Sequence, residues 1–270
     1  MVDLILFMGQ SNMAGRGVTC ERWPQSAPRA IEGAGYEYRA ISAPDCLSPL
    51  EEPFGRAEND PDGIDDGKMK TGSLVTSFVN AYYQRTGTSV VGISASKGGS
   101  SILQWQPDTP FMRDVERRLD SARNYLEKAH ISVRHTVLVW CQGETDGDHR
   151  MHGDEYILNF EQFWRHMQSL GVEQCFLIRI GHYNGPEAIS YQEIMDAQDQ
   201  IPQRMDGVIM VSTEFAGMKE RGLMKDAFHY YQAAYNEVGR AAGERAGKLI
   251  CERYGINGQN ERKTAEKSWK

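Results

Sequence analysis

Five short apolar runs punctuate the chain, at residues 4–8, 89–94, 135–141, 174–181 and 207–213. Each is only a few residues long and built largely of branched or aromatic side chains, the pattern of a strand buried on both faces. Between the runs the period changes. Leu74, Val75, Phe78, Val79 and Tyr82 recur at helical spacing in 73–85, with Ser73 placed to cap and Gly87 to stop the helix. Val115, Leu119, Ala122 and Leu126 do the same in 111–130, and Tyr156, Phe160, Phe163 and Met167 in 155–170. A segment at 188–200, ahead of Pro202, and an alanine-rich segment at 230–251 are also expected to be helical. Strands alternating with helices predict an α/β fold, a mainly parallel five-stranded sheet in a three-layer α/β/α sandwich. Right-handed crossovers then place every strand's carboxyl end on one edge, where the polar loops 9–17, 95–101, 142–147 and 213–229 would meet.

Residues 18–72 break the rhythm. They are rich in Pro, Gly, Asp and Glu with little periodicity, and read as a long irregular insertion folded over that edge. No internal repeat or linker appears, so one domain is expected over 1–256, followed by a polar, frayed tail at 257–270.

Composition removes several functions. The net charge is -7 with no basic stripe, which disfavours a nucleic-acid partner. The apolar runs are far shorter than a bilayer span requires, so no membrane partner is expected. Five cysteines, Cys20, Cys46, Cys141, Cys175 and Cys251, show no C-x-x-C and read as free thiols of a reducing compartment. Met1-Val2-Asp3 leads directly into the first strand, a cytoplasmic pattern unless a leader precedes it. The acidic turn at 60–67 resembles a calcium loop but has Ile64 where an oxygen ligand belongs, and His149 and His152 lack further spaced ligands. No metal or cofactor is expected, and no phosphate-binding glycine motif is present.

The chemistry concentrates in the predicted edge loops. The first strand runs into Gly9-Gln10-Ser11-Asn12-Met13-Ala14-Gly15-Arg16-Gly17, which places Ser11 at a strand's carboxyl end. Ser11 is either a helix cap or a nucleophile; as a nucleophile it needs a base and oxyanion donors. The last loop offers Asp226 and His229, three residues apart. That spacing lets a carboxylate hold one imidazole nitrogen while the other faces outward, although Asp226 alone also fits a helix cap. The candidate oxyanion donors are the Ser11 N–H, the Gly99 N–H and the Gln142 side-chain amide.

Four blocks, in order, resemble SGNH-type hydrolases of the carbohydrate esterase family 6 and sialate O-acetylesterase branch. They are Gly9–Gly15; Gly98-Gly99-Ser100-Ser101-Ile102 with Trp105; Gln142-Gly143-Glu144-Thr145-Asp146; and Asp226-Ala227-Phe228-His229. The resemblance implies a flavodoxin-like α/β/α fold and a metal-free serine esterase. Ser11 would be its nucleophile, His229 its base and Asp226 the partner of that base, with Gly99 and Gln142 contributing to the oxyanion site. Gln10, Asn12, Glu144 and Asp146 then bind substrate or support loops, and Asp146 is a second candidate to assist His229. Trp105 forms a cleft wall or packs in the core; Asn12 and Arg16 are candidate substrate contacts. Cys141 stands where the family commonly has histidine, which implies altered packing at the pocket floor. The expected reaction removes O-acetyl groups from a carbohydrate such as acetylxylan or acetylated sialic acid. The alternative is a catalytically silent carbohydrate-binding protein of the same fold.

Overall fold

The computed structural model describes residues 1–255; the expected tail at 257–270 lies outside them. Seven strands form one sheet: β1 Val2–Gly9, β2 Gly35–Arg39, β3 Ala43–Pro49, β4 Val90–Ser96, β5 Val133–Cys141, β6 Gln174–Ile178 and β7 Val208–Ser212. Their spatial order is β3-β2-β4-β1-β5-β6-β7, parallel throughout except for the β2–β3 pair. The expected five-stranded sheet is therefore corrected to a mixed sheet of seven. Both added strands come from the segment read as irregular. β3, the edge strand, carries Pro44, Asp45 and Pro49, and β2 beside it is short and carries Glu37 and Arg39, so neither writes the apolar run of a buried strand.

Among the described residues seven α-helices accompany the sheet: α1 Ser11–Ala14, α2 Val75–Thr86, α3 Pro110–Lys128, α4 Glu144–Asp148, α5 Gly153–Ser169, α6 Gln192–Arg204 and α7 Gln232–Tyr254. The pleat of β1 sorts its side chains between two cores. Leu4, Leu6 and Met8 join the core under α3, α5 and α6, while Ile5 and Phe7 join the one under α2 and α7. The α7 helix lies close on α2 because its facing residues lack side chains. A Cβ on Gly239 would stand 2.2 Å from Leu74 O, and one on Gly243 would stand 2.2 Å from Phe78 O. Helix α6 begins and ends later than its sequence pattern predicts and contains Pro202, which forgoes its hydrogen bond inside the final turn.

The topology switches at β1: from β1 the chain passes to β2 and β3 at the far edge, returns as β4 beside β1, then crosses to β5, β6 and β7 on the other side. The carboxyl ends of β4, β1 and β5 flank that switch, the position where open α/β sheets bind ligands. Among the described residues, no helix is long and apolar enough to cross a membrane.

Candidate active site

The turn after β1 exists because Gly9 permits it. Gly9 has φ +139°, and a Cβ there would stand 2.0 Å from the Cys141 carbonyl oxygen. The close approach ties the turn to both flanking strands: Gln10 N–H donates to Cys141 O at 3.0 Å, and Lys97 N–H donates to Gly9 O at 2.9 Å. Ser11 opens α1 immediately afterwards and is 6% exposed. Among the described residues its Oγ forms no hydrogen bond, and the backbone N–H groups of Ser11 and Gly99 have no acceptor. Gly99 sits on the next turn with φ +70°, exposed and unobstructed.

Asp226 and His229 form a pair. Both carboxylate oxygens lie 3.1 Å from His229 Nδ1. Oδ1 also accepts the backbone N–H groups of Phe228 at 2.8 Å and His229 at 2.7 Å. The ring is thereby oriented through Nδ1, and Nε2 is left for another partner. Burial works to raise the Asp226 pKa, but these N–H groups and the imidazole outweigh it and hold the carboxyl below its ordinary value. Burial lowers the His229 pKa; Asp226 opposes the effect, while Arg16 and Lys225 add to it. Both directions favour a neutral imidazole beside an ionised carboxylate near neutrality.

Ser11 and His229 are joined through their neighbours. Asn12 is fully buried, and its amide donates to Glu144 Oε1 at 2.6 Å and to Phe228 O at 3.1 Å. Its Oδ1 accepts from Tyr235 OH at 2.6 Å. The residue after Ser11 is thus fastened to the residue before His229. Among the described residues no hydrogen bond links Ser11 Oγ to the His229 ring itself. Fully buried, Asn12 braces the loops and offers substrate nothing.

The other sequence candidates take supporting places. Gln10 Oε1 accepts from Gln142 Nε2, Gly143 N–H and Thr145 N–H at 3.1–3.3 Å, fixing the turn after β5. Gln142 is 0% exposed, and its amide nitrogen faces Ser100 O at 2.9 Å, Gln10 Oε1 and Asp146 Oδ2. Its two protons are committed to protein acceptors, so in this structure the amide is not a free oxyanion donor. Asp146 accepts from Ser101 Oγ at 2.5 Å, from Ile102 N–H and from Gln142. It braces the Gly99 turn and forms no bond to His229. Trp105 is fully buried, donates to Ser100 Oγ at 3.0 Å and packs edge-on against Trp140; it is a core residue, not a cleft wall.

Glu144 is 3% exposed and its Oε2 has no hydrogen-bond partner. Burial raises its pKa to about 7, against the hydrogen bond from Asn12. Cys141 is fully buried, which holds it as a thiol well above its usual pKa and withholds it as a nucleophile. Arg16 pairs with Asp66 at 2.7 Å inside the fold, and Lys97 Nζ donates to Asp65 O at 2.7 Å. The 18–72 segment therefore clamps the Ser11 and Gly99 turns together. His152 lies exposed beside Glu193. Among the described residues no cluster of His, Cys, Asp or Glu is arranged to hold a metal.

Sequence reasoning missed Gln198. It is buried at 0% exposure, donates to Gln142 O at 2.7 Å and accepts from Ile180 N–H at 3.0 Å. Its signal was available: a polar residue on the same stripe as Ile194 and Ile201, where a helix normally places apolar side chains.

The profile of the family described as carbohydrate esterase, sialic acid-specific acetylesterase matches residues 1–247. No curated protein matches the chain. An X-ray structure of a protein from Arabidopsis thaliana is similar at 19% identity and a TM-score of 0.67, over 92% of this chain and 98% of that one. A carbohydrate acetylesterase from Xanthomonas citri is similar at 14% identity and a TM-score of 0.58. That match covers 94% of this chain and 56% of the Xanthomonas chain. At such identities the two structures speak for the fold alone. The profile spans nearly the whole described chain, so the protein belongs to the carbohydrate esterase, sialic acid-specific acetylesterase family and is a carboxylic ester hydrolase.

Proposed function

We propose that the protein is a serine esterase that removes O-acetyl groups from carbohydrates. Ser11 Oγ attacks the acetyl carbonyl carbon while His229 Nε2 takes the hydroxyl proton. The tetrahedral oxyanion is received by the N–H groups of Ser11 and Gly99. Collapse breaks the bond to the sugar oxygen, which leaves as an alcohol with the proton from His229. Water, deprotonated by the same imidazole, then attacks the acetyl-Ser11 ester; acetate departs and Ser11 regains its proton. Asp226 holds the Nδ1–H tautomer and stabilises the imidazolium. Gln142 acts indirectly in this scheme, by holding the Ser100 carbonyl and with it the Gly99 turn.

The observation that carries the reading is the Asp226–His229 pair fastened, through Asn12 and Phe228 O, to the turn that bears Ser11. The Ser11–His229 hydrogen bond would form on substrate binding, since such bonds are commonly loose in unliganded enzymes. The family description supports acetylated sugars as the substrate class. Ser11→Ala should lower acetate release from 4-nitrophenyl acetate by at least about three decades with an unchanged circular dichroism spectrum. Turnover retained by that variant would end the assignment.

A further inference from the structure

Phe228 is 36% exposed, directly before the proposed base. Its ring centre lies 6.0 Å from that of His229 and 5.4 Å from that of Tyr183. Tyr183 is buried and packs edge-on against the buried Tyr191. An aromatic chain therefore leads out of the core and ends in an exposed phenyl ring beside the imidazole. The backbone at this point is held on both sides. Phe228 N–H donates to Asp226 Oδ1 at 2.8 Å, and Phe228 O accepts from Asn12 Nδ2 at 3.1 Å. Ala227 O accepts from Asn184 N–H at 3.0 Å. These bonds fix the backbone of Phe228 and with it the place where its ring meets the surface.

We propose that Phe228 is the specificity-determining platform on which the sugar ring of the substrate stacks. The inference rests on the carbohydrate reading above. A pyranose presents a row of C–H groups on one face. Those groups pack against an aromatic face, while the ring hydroxyls stay in water or meet polar loops. With the acetyl carbonyl at Ser11 and its leaving oxygen near His229, the sugar ring attached to that oxygen extends from the imidazole. Phe228 lies beside the same imidazole. The same ring offers little to an ester whose alcohol is small and flexible.

The test measures kcat and KM of the full chain on xylose tetraacetate and on ethyl acetate. In Phe228→Ala, KM for the sugar ester should rise about tenfold with kcat largely kept, the scale of one lost aromatic contact. The ratio of kcat/KM for the sugar ester over ethyl acetate should fall by the same factor, and Phe228→Trp should restore it. An unchanged ratio in Phe228→Ala overturns the platform while leaving the esterase reading intact. So does an equal loss on both esters, which would mark Phe228 as a mere support for His229. A wild-type protein that cleaves ethyl acetate but releases no acetate from sugar esters overturns the carbohydrate reading and the platform together.

Discussion

A buried carboxylate lies near each end of the central strand, and the two are treated differently. At the amino end, Asp3 is 0% exposed; its oxygens accept from Tyr82 OH at 2.7 Å and from Arg134 Nε and Nη2 at 2.9 and 2.5 Å. At the carboxyl end, Glu144 is equally hidden, but it meets a single Asn12 proton and leaves Oε2 unpaired. Its surroundings are acids and weak acids: Asp146 and Asp148, the Cys141 thiol, and the phenols of Tyr156, Tyr191 and Tyr230. Among the described residues no salt bridge reaches it. The Asp3 carboxylate is paired at both oxygens, although Arg134 Nη1 beside it has no partner, whereas Glu144 leaves one oxygen unpaired and serves to hold an arrangement. Unsatisfied groups persist where a fold keeps geometry at the expense of stability, and such places coincide with functional sites.

That contrast can be broken at either end. Asp3→Ala should have the largest effect on stability, because it strands the Arg134 charge and the Tyr82 hydroxyl. Denaturant titration should show a loss of about 3 kcal/mol, while esterase activity well below the melting temperature persists. A loss near zero would mean that the amino-end pair is no staple.

Glu144→Gln should act more weakly and in the other direction. A carboxyl whose pKa is raised by folding binds its proton more tightly in the native state. It therefore contributes stability below its unfolded value near 4.5 that is lost as pH rises through about 7. The glutamine variant keeps an acceptor for Asn12 and drops this dependence. Its unfolding free energy relative to wild type should climb between pH 5 and pH 8, by on the order of 2 kcal/mol. A difference that stays flat with pH would show that Glu144 does not titrate in that range.

The two ends also differed in how far the sequence exposed them. The strand-to-loop junctions at Ser11, Gly99 and Gln142 were legible because a buried parallel strand writes a continuous apolar run and then stops at small polar residues. The Asp226–His229 pair was legible from spacing. The β2–β3 hairpin was not: β3 is an edge strand that accepts Pro and charge, and β2, although paired on both sides, carries the Glu37–Arg39 ion pair in place of an apolar run. The role of Gln142 was also hidden. Whether an amide faces the cleft or the loops depends on Ser100 O, Gln10 and Asp146 converging from three separate turns, which no local pattern encodes. The Arg16–Asp66 brace likewise depends on where the 18–72 segment returns to the sheet.

In the proposed mechanism His229 activates Ser11. Labelling the purified protein with a fluorophosphonate probe, followed by peptide mass spectrometry, tests it most directly. One adduct is expected, on the peptide carrying Ser11, and it is lost in His229→Ala although that variant remains folded. An unlabelled protein, or an adduct that survives the loss of His229, would contradict it.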